Sequence, residues 1–200
     1  VKTITTGEGG VATTNDPLLA RHMAELRSHG IVRDPERFQQ QPVVGPWVYE
    51  QQQLGFNYRI TDIQAALGLS QLDRLEEIVT ERNRQLERYR ELLLDLPIKL
   101  LKIPNHVLSS VHLAVIHLDF STGTNHRQVF EGLREAGIGV QLHYSPVHLQ
   151  PYYRNLGFCD GDFPEAEEFS KHIISIPLYY GLNEISQQTV VNELSALISS

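Results

Sequence analysis

The sequence predicts an α/β protein, and three observations lead to that prediction. A capping motif at Thr61 is followed by a long helical pattern with one apolar face. From residue 97 onward, short β-branched runs alternate with helical segments. The 200 residues are enough for one ordinary domain or two small ones. We therefore divide the chain into residues 1–95, which end in the long helix, and a small α/β domain over residues 96–200.

The first part of the chain predicts two helices separated by a long connection. Stretches that contain Thr and Ile before Gly7-Glu8-Gly9-Gly10, and Val and Thr after it, predict a hairpin-like start over residues 1–16. Asp16-Pro17 opens a helix that ends near Gly30. Residues 31–56 show no sustained periodicity and predict an irregular connection. The capping box over residues 61–64 then begins a helix that we expect to reach residue 95, with room for one break.

The second part predicts strands and helices in alternation. A weak strand over 98–103 precedes a strong, β-branched strand over 111–118. Asn125 caps a helix that ends at Gly137, and residues 138–142 return as a strand, which makes a strand-helix-strand unit. A polar helix over 165–171, a strand over 173–176 and an amphipathic helix over 184–198 complete the pattern.

Composition disfavours several classes of protein. Lys and Arg total 17 against 24 Asp and Glu, a formal net charge of -7, so no surplus of positive charge points to nucleic acid or an anionic membrane. The single cysteine, Cys159, cannot form an intramolecular disulfide and suits a reducing compartment, so the cytoplasm is the expected location. No apolar run approaches the ~20 residues that span a bilayer.

Local patterns alone leave one candidate site open. The glycine loop at residues 7–10 lacks the endings of a phosphate-binding motif and is interpreted as a turn. The histidine pairs 112/117 and 143/148 lack adjacent carboxylates, so no metal site is predicted, and Cys159 has no basic neighbour that would activate it. Gln141-Leu142-His143-Tyr144 follows a predicted strand, and sites in α/β proteins gather at strand ends.

Four longer segments add a resemblance that covers nearly the whole chain. They are KTITTGEGG at residues 2–10, RSHGI at 27–31, GFNYRITDIQAALG at 55–68 and QLHYSPVH at 141–148. In this order they resemble the DegT/DnrJ/EryC1/StrS family of sugar aminotransferases, which use pyridoxal 5′-phosphate (PLP). The stretch GPWVYEQ at 45–51 is most similar to the branch that aminates C4 of a UDP-linked 4-keto-6-deoxy-N-acetylhexosamine towards pseudaminic acid.

The resemblance implies a fold-type-I PLP-dependent transferase, represented by the end of its large domain and its small C-terminal α/β domain. Lys2 would be the catalytic lysine that holds PLP in a Schiff base, with glutamate as the amino donor. Asn57 would reach the cofactor or substrate in the neighbouring subunit's site, which implies a homodimer with shared active sites. Gln141, Leu142, His143 and Tyr144 would lie against the nucleotide-sugar in a pathway of amino-sugar or surface-polysaccharide biosynthesis.

Departures from the family pattern leave alternatives open. Val111 and Ala114 stand where the C4-aminating branch tends to carry aromatic residues, and Val32 stands where Thr is expected. The family's upstream segment, which supplies the partner of the pyridine nitrogen, has no counterpart here, so we expect a C-terminal portion that is not competent by itself. One alternative is a family-like sugar dehydratase, although those enzymes resemble the family with histidine in place of Lys2. The other is a non-catalytic fragment that only binds a partner chain.

Overall fold

The computed structural model describes residues 2–119 and 125–199. The chain forms two compact units, which are described separately. The N-terminal unit covers residues 4–73, and the C-terminal unit joins Lys2 and Thr3 to the chain from Arg74 onward. The division between compact units therefore falls inside the predicted long helix, whereas the domain boundary at residues 95 and 96 stays a prediction about the family fold.

The N-terminal unit begins with a capped helix. Helix α1 spans Pro17–Leu26, and Asp16 Oδ1 accepts hydrogen bonds from the backbone N–H groups of Leu18 and Leu19 at 2.8 and 3.3 Å. The helix is followed by two residues with positive φ, His29 at 65° and Gly30 at 70°. These left-handed residues reverse the chain, so the predicted start and end of this helix are confirmed.

The predicted hairpin over residues 1–16 is wrong, because residues 2–16 contain no strand. The threonines bond the local backbone instead of a second strand. Thr5 Oγ1 accepts from Gly7 N–H at 3.1 Å, Thr6 Oγ1 donates to Glu8 O at 2.9 Å, and Thr14 Oγ1 accepts from the N–H of residue 16 at 3.0 Å. Such side-chain to backbone bonds compete with a β ladder and favour turns.

The rest of the N-terminal unit is a long connection and a second helix. Strands β1 (Ile31–Val32) and β2 (Glu50–Gln51) pair antiparallel across the predicted irregular segment. Helix α2 spans Asp62–Leu72 and begins with the predicted capping box, in which the side chains of Thr61 and Gln64 each accept the other's backbone N–H. Residues 73 and 74 then interrupt the helical pattern, as the sequence allows.

The C-terminal unit contains an antiparallel three-stranded sheet. Helix α3 (Leu75–Leu92) precedes β3 (Ile98–Leu100) and β4 (Ala114–Leu118), and β5 (Ile173–Ile176) completes the order β3-β4-β5. The predicted strand over 138–142 is wrong, since it is reduced to one antiparallel bridge between Gln141 and Ser175. Gly137, at φ 78°, and Gly139 lie within or beside this segment, and glycine weakens a strand.

Helices pack against one face of this sheet, and their apolar side chains form the core together with those of the strands. Asn125 Oδ1 caps α4 (His126–Glu135) by accepting from the N–H groups of residues 127 and 128, as predicted. The short α5 (Pro151–Arg154) and α6 (Pro164–His172) lead to β5, and α7 (Glu184–Ser199) closes the unit. Fully buried side chains from β4, α4, β5 and α7 meet in the core: Ile116, Leu118, Leu133, Ile174 and Leu194. Within the described ranges, no helix is long and apolar enough to cross a membrane.

Candidate functional site

A pocket of about 640 Å³ lies in the C-terminal unit, where residues 136–143 run beside β5. Its apolar lining comes mainly from Ile138, Val140, Leu178 and Val190. Its polar lining residues are His112, Gln141, His143, Ser175, Tyr179, Ser186 and Thr189. A volume of this size and a mostly apolar wall with a few polar groups are typical of small-molecule sites.

Two of the predicted site residues meet in this pocket. The backbone N–H and C=O of Gln141 pair with those of Ser175, at N···O distances of 3.2 and 2.8 Å. The His143 ring is held by its Nδ1 atom, which lies 2.9 Å from Ser175 Oγ. Gln141 and His143 are two residues apart, so both can face the pocket from the same side of an extended segment.

The other two predicted residues do not line the pocket. The backbone N–H of Leu142 donates to the Gln141 side-chain oxygen at 3.0 Å, which orients that amide. Tyr144 is 69% exposed, and its ring meets the His143 ring edge-on with the centroids 4.8 Å apart. Tyr144 therefore supports the position of His143, and the nucleotide-sugar contacts predicted for Leu142 and Tyr144 stay predictions.

A buried arginine forms hydrogen bonds with the backbone of two residues that line the pocket. Arg82 is 1% exposed, and its Nη1 atom donates to the carbonyl oxygens of His112 and Leu178 at 3.2 and 3.3 Å. Burial is the main cause that lowers the pKa of His112, and the nearby charges of Lys2, Arg82 and His143 lower it further. Burial and these charges disfavour the imidazolium, which favours the neutral ring of His112, and a neutral imidazole can both donate and accept a hydrogen bond.

Lys2 is close enough to His112 for its positive charge to lower the pKa of that imidazole. The residue after it, Thr3, donates from Oγ1 to Ser110 O at 3.2 Å and so ties the segment to the stretch that leads into β4. The Lys2 side chain is exposed and makes no ion pair within residues 2–119 and 125–199. A primary amine without a carboxylate partner, near enough to His112 to lower the pKa of that imidazole, fits the aldehyde of PLP in its chemistry.

Asn57 lies in the N-terminal unit, on a segment that is bonded to the end of α1. The N–H groups of Phe56 and Tyr58 donate to the carbonyls of Leu26 and Arg27 at 2.7 and 2.9 Å, and Asn57 bridges Ser28. The rings of Phe56 and Tyr58 stack on one side, with centroids 4.8 Å apart. The intervening Asn57 side chain is exposed and points to the other side, so its amide is available to a ligand or a partner.

The glycine loop at residues 7–10 is a turn, as predicted. Gln64 Nε2 and Thr6 Oγ1 both donate to the Glu8 carbonyl at 2.9 Å, which holds the loop at the start of α2. Gly7 adopts φ 79°, a left-handed value that favours glycine.

Two further expectations from the sequence concern Cys159 and metal binding. Cys159 Sγ is exposed and contacts Asp162 Oδ1 at 3.5 Å; this hydrogen bond is the main cause that raises the pKa of the thiol, which makes a thiolate less available. Across the described part of the chain, no group of three or more His, Cys, Asp or Glu side chains could hold a metal ion.

Sequence reasoning did not name the remaining polar residues of the pocket wall as site residues, namely His112, Ser175, Tyr179, Ser186 and Thr189. His112 was considered only for a metal, although it stands two residues before β4. Ser175 had one readable signal, since it is the only polar residue within the aliphatic run of β5. Tyr179 offered no local signal, because the turn that brings it to the pocket depends on the packing of α7.

A family model and individual relatives match this chain. The model of the DegT/DnrJ/EryC1/StrS aminotransferase family matches residues 1–195. Among curated proteins, MJ1066 of Methanocaldococcus jannaschii, an uncharacterized protein, is 36% identical over 209 residues. The spore coat polysaccharide biosynthesis protein SpsC of Bacillus subtilis is 30% identical over 201 residues. The alignments cover 99% and 98% of this chain.

Solved structures match over the whole chain. Helicobacter pylori PseC, an aminotransferase involved in the biosynthesis of pseudoaminic acid, superimposes with a TM-score of 0.87 at 30% identity and 100% coverage of this chain. The putative sugar aminotransferase Spr1654 of Streptococcus pneumoniae, in its PMP-form, gives 0.85 at 27% identity and the same coverage. The PLP-form of Spr1654 gives 0.82 at 25% identity.

The chain spans about half the length of these relatives: 52% of MJ1066, 51% of SpsC, and 51% of the PseC and Spr1654 PMP-form structures. The fold is therefore that of PLP-dependent sugar aminotransferases of fold-type I, as the resemblance implied. With a family model matched over nearly all of its residues, the chain belongs to the DegT/DnrJ/EryC1/StrS aminotransferase family.

Proposed function

We propose that this chain carries the lysine and the sugar pocket of an enzyme that transfers an amino group to a nucleotide-linked keto sugar. The observation that supports this most strongly is the pocket that contains His112, Gln141 and His143, together with the hydrogen bond from Thr3 Oγ1 to Ser110 O at 3.2 Å, which ties the residue after Lys2 to the segment that carries His112. An amine, a neutral imidazole and an amide around one cavity suit a substrate rich in hydroxyl and carbonyl oxygens.

Lys2 is the proposed residue that holds PLP and moves the proton. The cofactor, when bound, supplies the electron sink that makes the α-hydrogen of an amino acid acidic. In the complete site, the Lys2 amine would hold the cofactor and would move the proton of the donor's α-carbon, as general base and then general acid. In the second half of the reaction, the same amine would move a proton in the reverse direction, so that the donor's amino group would replace the ketone oxygen of the sugar, which is released as water.

The pocket is proposed to bind the sugar nucleotide. Gln141 and His143 offer amide and imidazole groups to sugar hydroxyls and carbonyls, and the apolar wall suits the faces of the sugar ring. The positive field of Arg82 and Lys2 favours the diphosphate, despite the net charge of -7 for the whole chain. From the resemblance of residues 45–51 to the C4-aminating branch of the family, a UDP-linked 4-keto-6-deoxy sugar is the proposed acceptor and glutamate the proposed donor. The likeness to PseC, an aminotransferase involved in the biosynthesis of pseudoaminic acid, supports that branch.

Asn57 is proposed to act in the active site of a second subunit. Its exposed amide stands on a segment that three backbone hydrogen bonds fix to the end of α1, so it is presented in a defined direction. A neutral amide can donate to a phosphate oxygen without adding charge to the site.

The proposal is tested in the full-length gene product that contains this sequence. The enzyme is given PLP, glutamate and a UDP-4-keto-6-deoxy sugar, and formation of 2-oxoglutarate and amino sugar is followed. Lys2→Ala is expected to abolish both products, whereas Lys102→Ala, a control at an exposed lysine outside the pocket, should retain them. Near-normal turnover by Lys2→Ala would contradict the role of this lysine. Absence of an amino sugar with an active donor half-reaction would contradict the acceptor.

A further inference from the structure

Strand β5 contains one buried hydroxyl group within an otherwise aliphatic run. Ser175 is 5% exposed, within the run Ile173-Ile174-Ser175-Ile176. Ile174 and Ile176 belong to the apolar core, so the alternation of a strand directs the Ser175 side chain to the opposite face. A buried hydroxyl is unfavourable unless it is hydrogen bonded. Within the described ranges, the side-chain partner of Ser175 is the Nδ1 atom of His143, at 2.9 Å.

The backbone of Ser175 also fixes Gln141. Its N–H donates to Gln141 O at 2.8 Å, and its carbonyl accepts from Gln141 N–H at 3.2 Å. One residue of the rigid sheet therefore holds both pocket-lining members of the predicted site. The remaining two members, Leu142 and Tyr144, have no hydrogen bond to Ser175 among the described contacts.

The contact with Ser175 also bears on the proton of the His143 ring. The described contacts give the Ser175 hydroxyl hydrogen one acceptor, the Nδ1 atom of His143. If the hydroxyl donates to Nδ1, that nitrogen carries no hydrogen and the ring proton is on Nε2 in the neutral form. Nε2–H is then a donor, and it suits an oxygen acceptor such as a phosphate or a sugar carbonyl.

We propose that Ser175 is a positioning residue that holds His143 in the Nε2–H tautomer with its donor available to the pocket. The identity of the acceptor rests on the proposed function, since the sugar nucleotide would supply the oxygen. The tautomer itself depends only on the contact between Ser175 and His143 and can be measured without substrate. Ser175 therefore acts on the substrate through His143.

The tautomer is measured by long-range 1H–15N correlation spectra of the protein labelled with 15N-histidine, at pH 8. His143→Gln assigns the resonance by its disappearance. Wild type is expected to show the Nε2–H pattern at His143, and Ser175→Ala an average of the two tautomers. Ser175→Thr keeps the hydroxyl and should restore the wild-type pattern. Ser186→Ala is the matched control, because Ser186 lines the same pocket and has no hydrogen bond to His143 among the described contacts.

An Nδ1–H pattern in wild type, or an unchanged pattern in Ser175→Ala, would overturn the proposal. An Nδ1–H pattern at His143 in wild type would overturn the proposal even if Ser175→Ala fails to fold, and Ser175→Thr then supplies the comparison at position 175. A second measurement separates this inference from the proposed function: uridine diphosphate binding by calorimetry. Ser175→Ala is expected to weaken binding by roughly tenfold, as for the loss of one oriented hydrogen bond, with recovery in Ser175→Thr. Wild type that shows the Nε2–H pattern but binds no uridine diphosphate would support the positioning role and contradict the substrate.

Discussion

Replacing Gly30 with alanine tests how the segment that carries Asn57 is held. Gly30 has φ 70°, and a Cβ atom there would lie 1.9 Å from the carbonyl oxygen and 2.7 Å from the carbonyl carbon of Gln53. These are backbone atoms, so no side-chain rotation relieves the contact. Gly7 is a matched control in the same unit, because its φ is 79° and a Cβ atom there would meet nothing within 4 Å.

The expected loss of local stability follows from the backbone hydrogen bonds that this steric clash would break. A left-handed φ costs an L-residue about 1–2 kcal/mol at either position, so it cancels in the comparison. Separating the segment from α1 would break four backbone hydrogen bonds, three of them between residues 26–29 and 56–58 and one from Gln52 N–H to Gly30 O. At about 1 kcal/mol for each bond, Gly30→Ala loses roughly 4 kcal/mol of local stability that Gly7→Ala keeps.

Hydrogen exchange with mass spectrometry measures this difference locally. For Gly30→Ala, the peptides over residues 26–31 and 52–58 should lose protection by roughly 700-fold, since each 1.4 kcal/mol is about a factor of ten. For Gly7→Ala, the same peptides should stay within about tenfold of wild type. Equal protection in the two variants would refute the reasoning, because it would mean that Gln53 can move away without disturbing the segment.

Three further predictions concern stability and assembly. The unfolding free energy, measured with urea, should fall as the pH drops below ~6.5, the unfolded histidine value, because burial keeps the pKa of His112 and His117 below that value and the folded state resists their protonation. Leu133→Ala should lower the unfolding free energy by about 2–5 kcal/mol, because the side chain is fully buried in the core. Mixing inactive Lys2→Ala and Asn57→Ala gene products should restore part of the transaminase activity, since a hybrid dimer would contain one intact site.

Each of these three predictions would be contradicted by a specific result. Stability that is constant or higher at pH 5.5 than at pH 8 would contradict the lowered histidine pKa values. A loss below about 1 kcal/mol in Leu133→Ala would mean that the core is looser than the burial indicates. No recovery of activity after confirmed subunit exchange would favour a site that is built within one subunit.

Local sequence signals predicted the parts of the fold that depend on capping. Asp16, Thr61 and Asn125 each accept backbone N–H groups at a helix start, as expected from their positions. The strand prediction for the threonines before residue 16 was wrong. A threonine hydroxyl can form hydrogen bonds with the nearby backbone, and in this segment such bonds are present instead of strand pairing. The segment over 138–142 failed for another reason, since its pairing depends on β5, which lies more than thirty residues along the chain.

The candidate site was only partly predictable. Gln141 and His143 stood out as polar residues after an apparent strand, and the pocket contains both. The spacing of residues in the sequence does not show that Ser175 holds Gln141 and His143, because that contact depends on long-range pairing with β5. It does not show the position of Arg82 either, because that position depends on the packing of α3. The role of Lys2 came from resemblance alone, since an isolated lysine has no local signature.

The central claim, that Lys2 is the residue that holds PLP, has one direct measurement. The full-length gene product is incubated with PLP and treated with borohydride, which fixes the cofactor to the amine that holds it, and the digested protein is mapped by mass spectrometry. This sequence contains four lysines, Lys2, Lys99, Lys102 and Lys171, so the label can be assigned within it without ambiguity. The account predicts the cofactor mass on the peptide that contains Lys2, at close to one per chain and absent after pretreatment with glutamate. A label on any other lysine, or an unlabelled Lys2 in an enzyme that still transaminates, would contradict it.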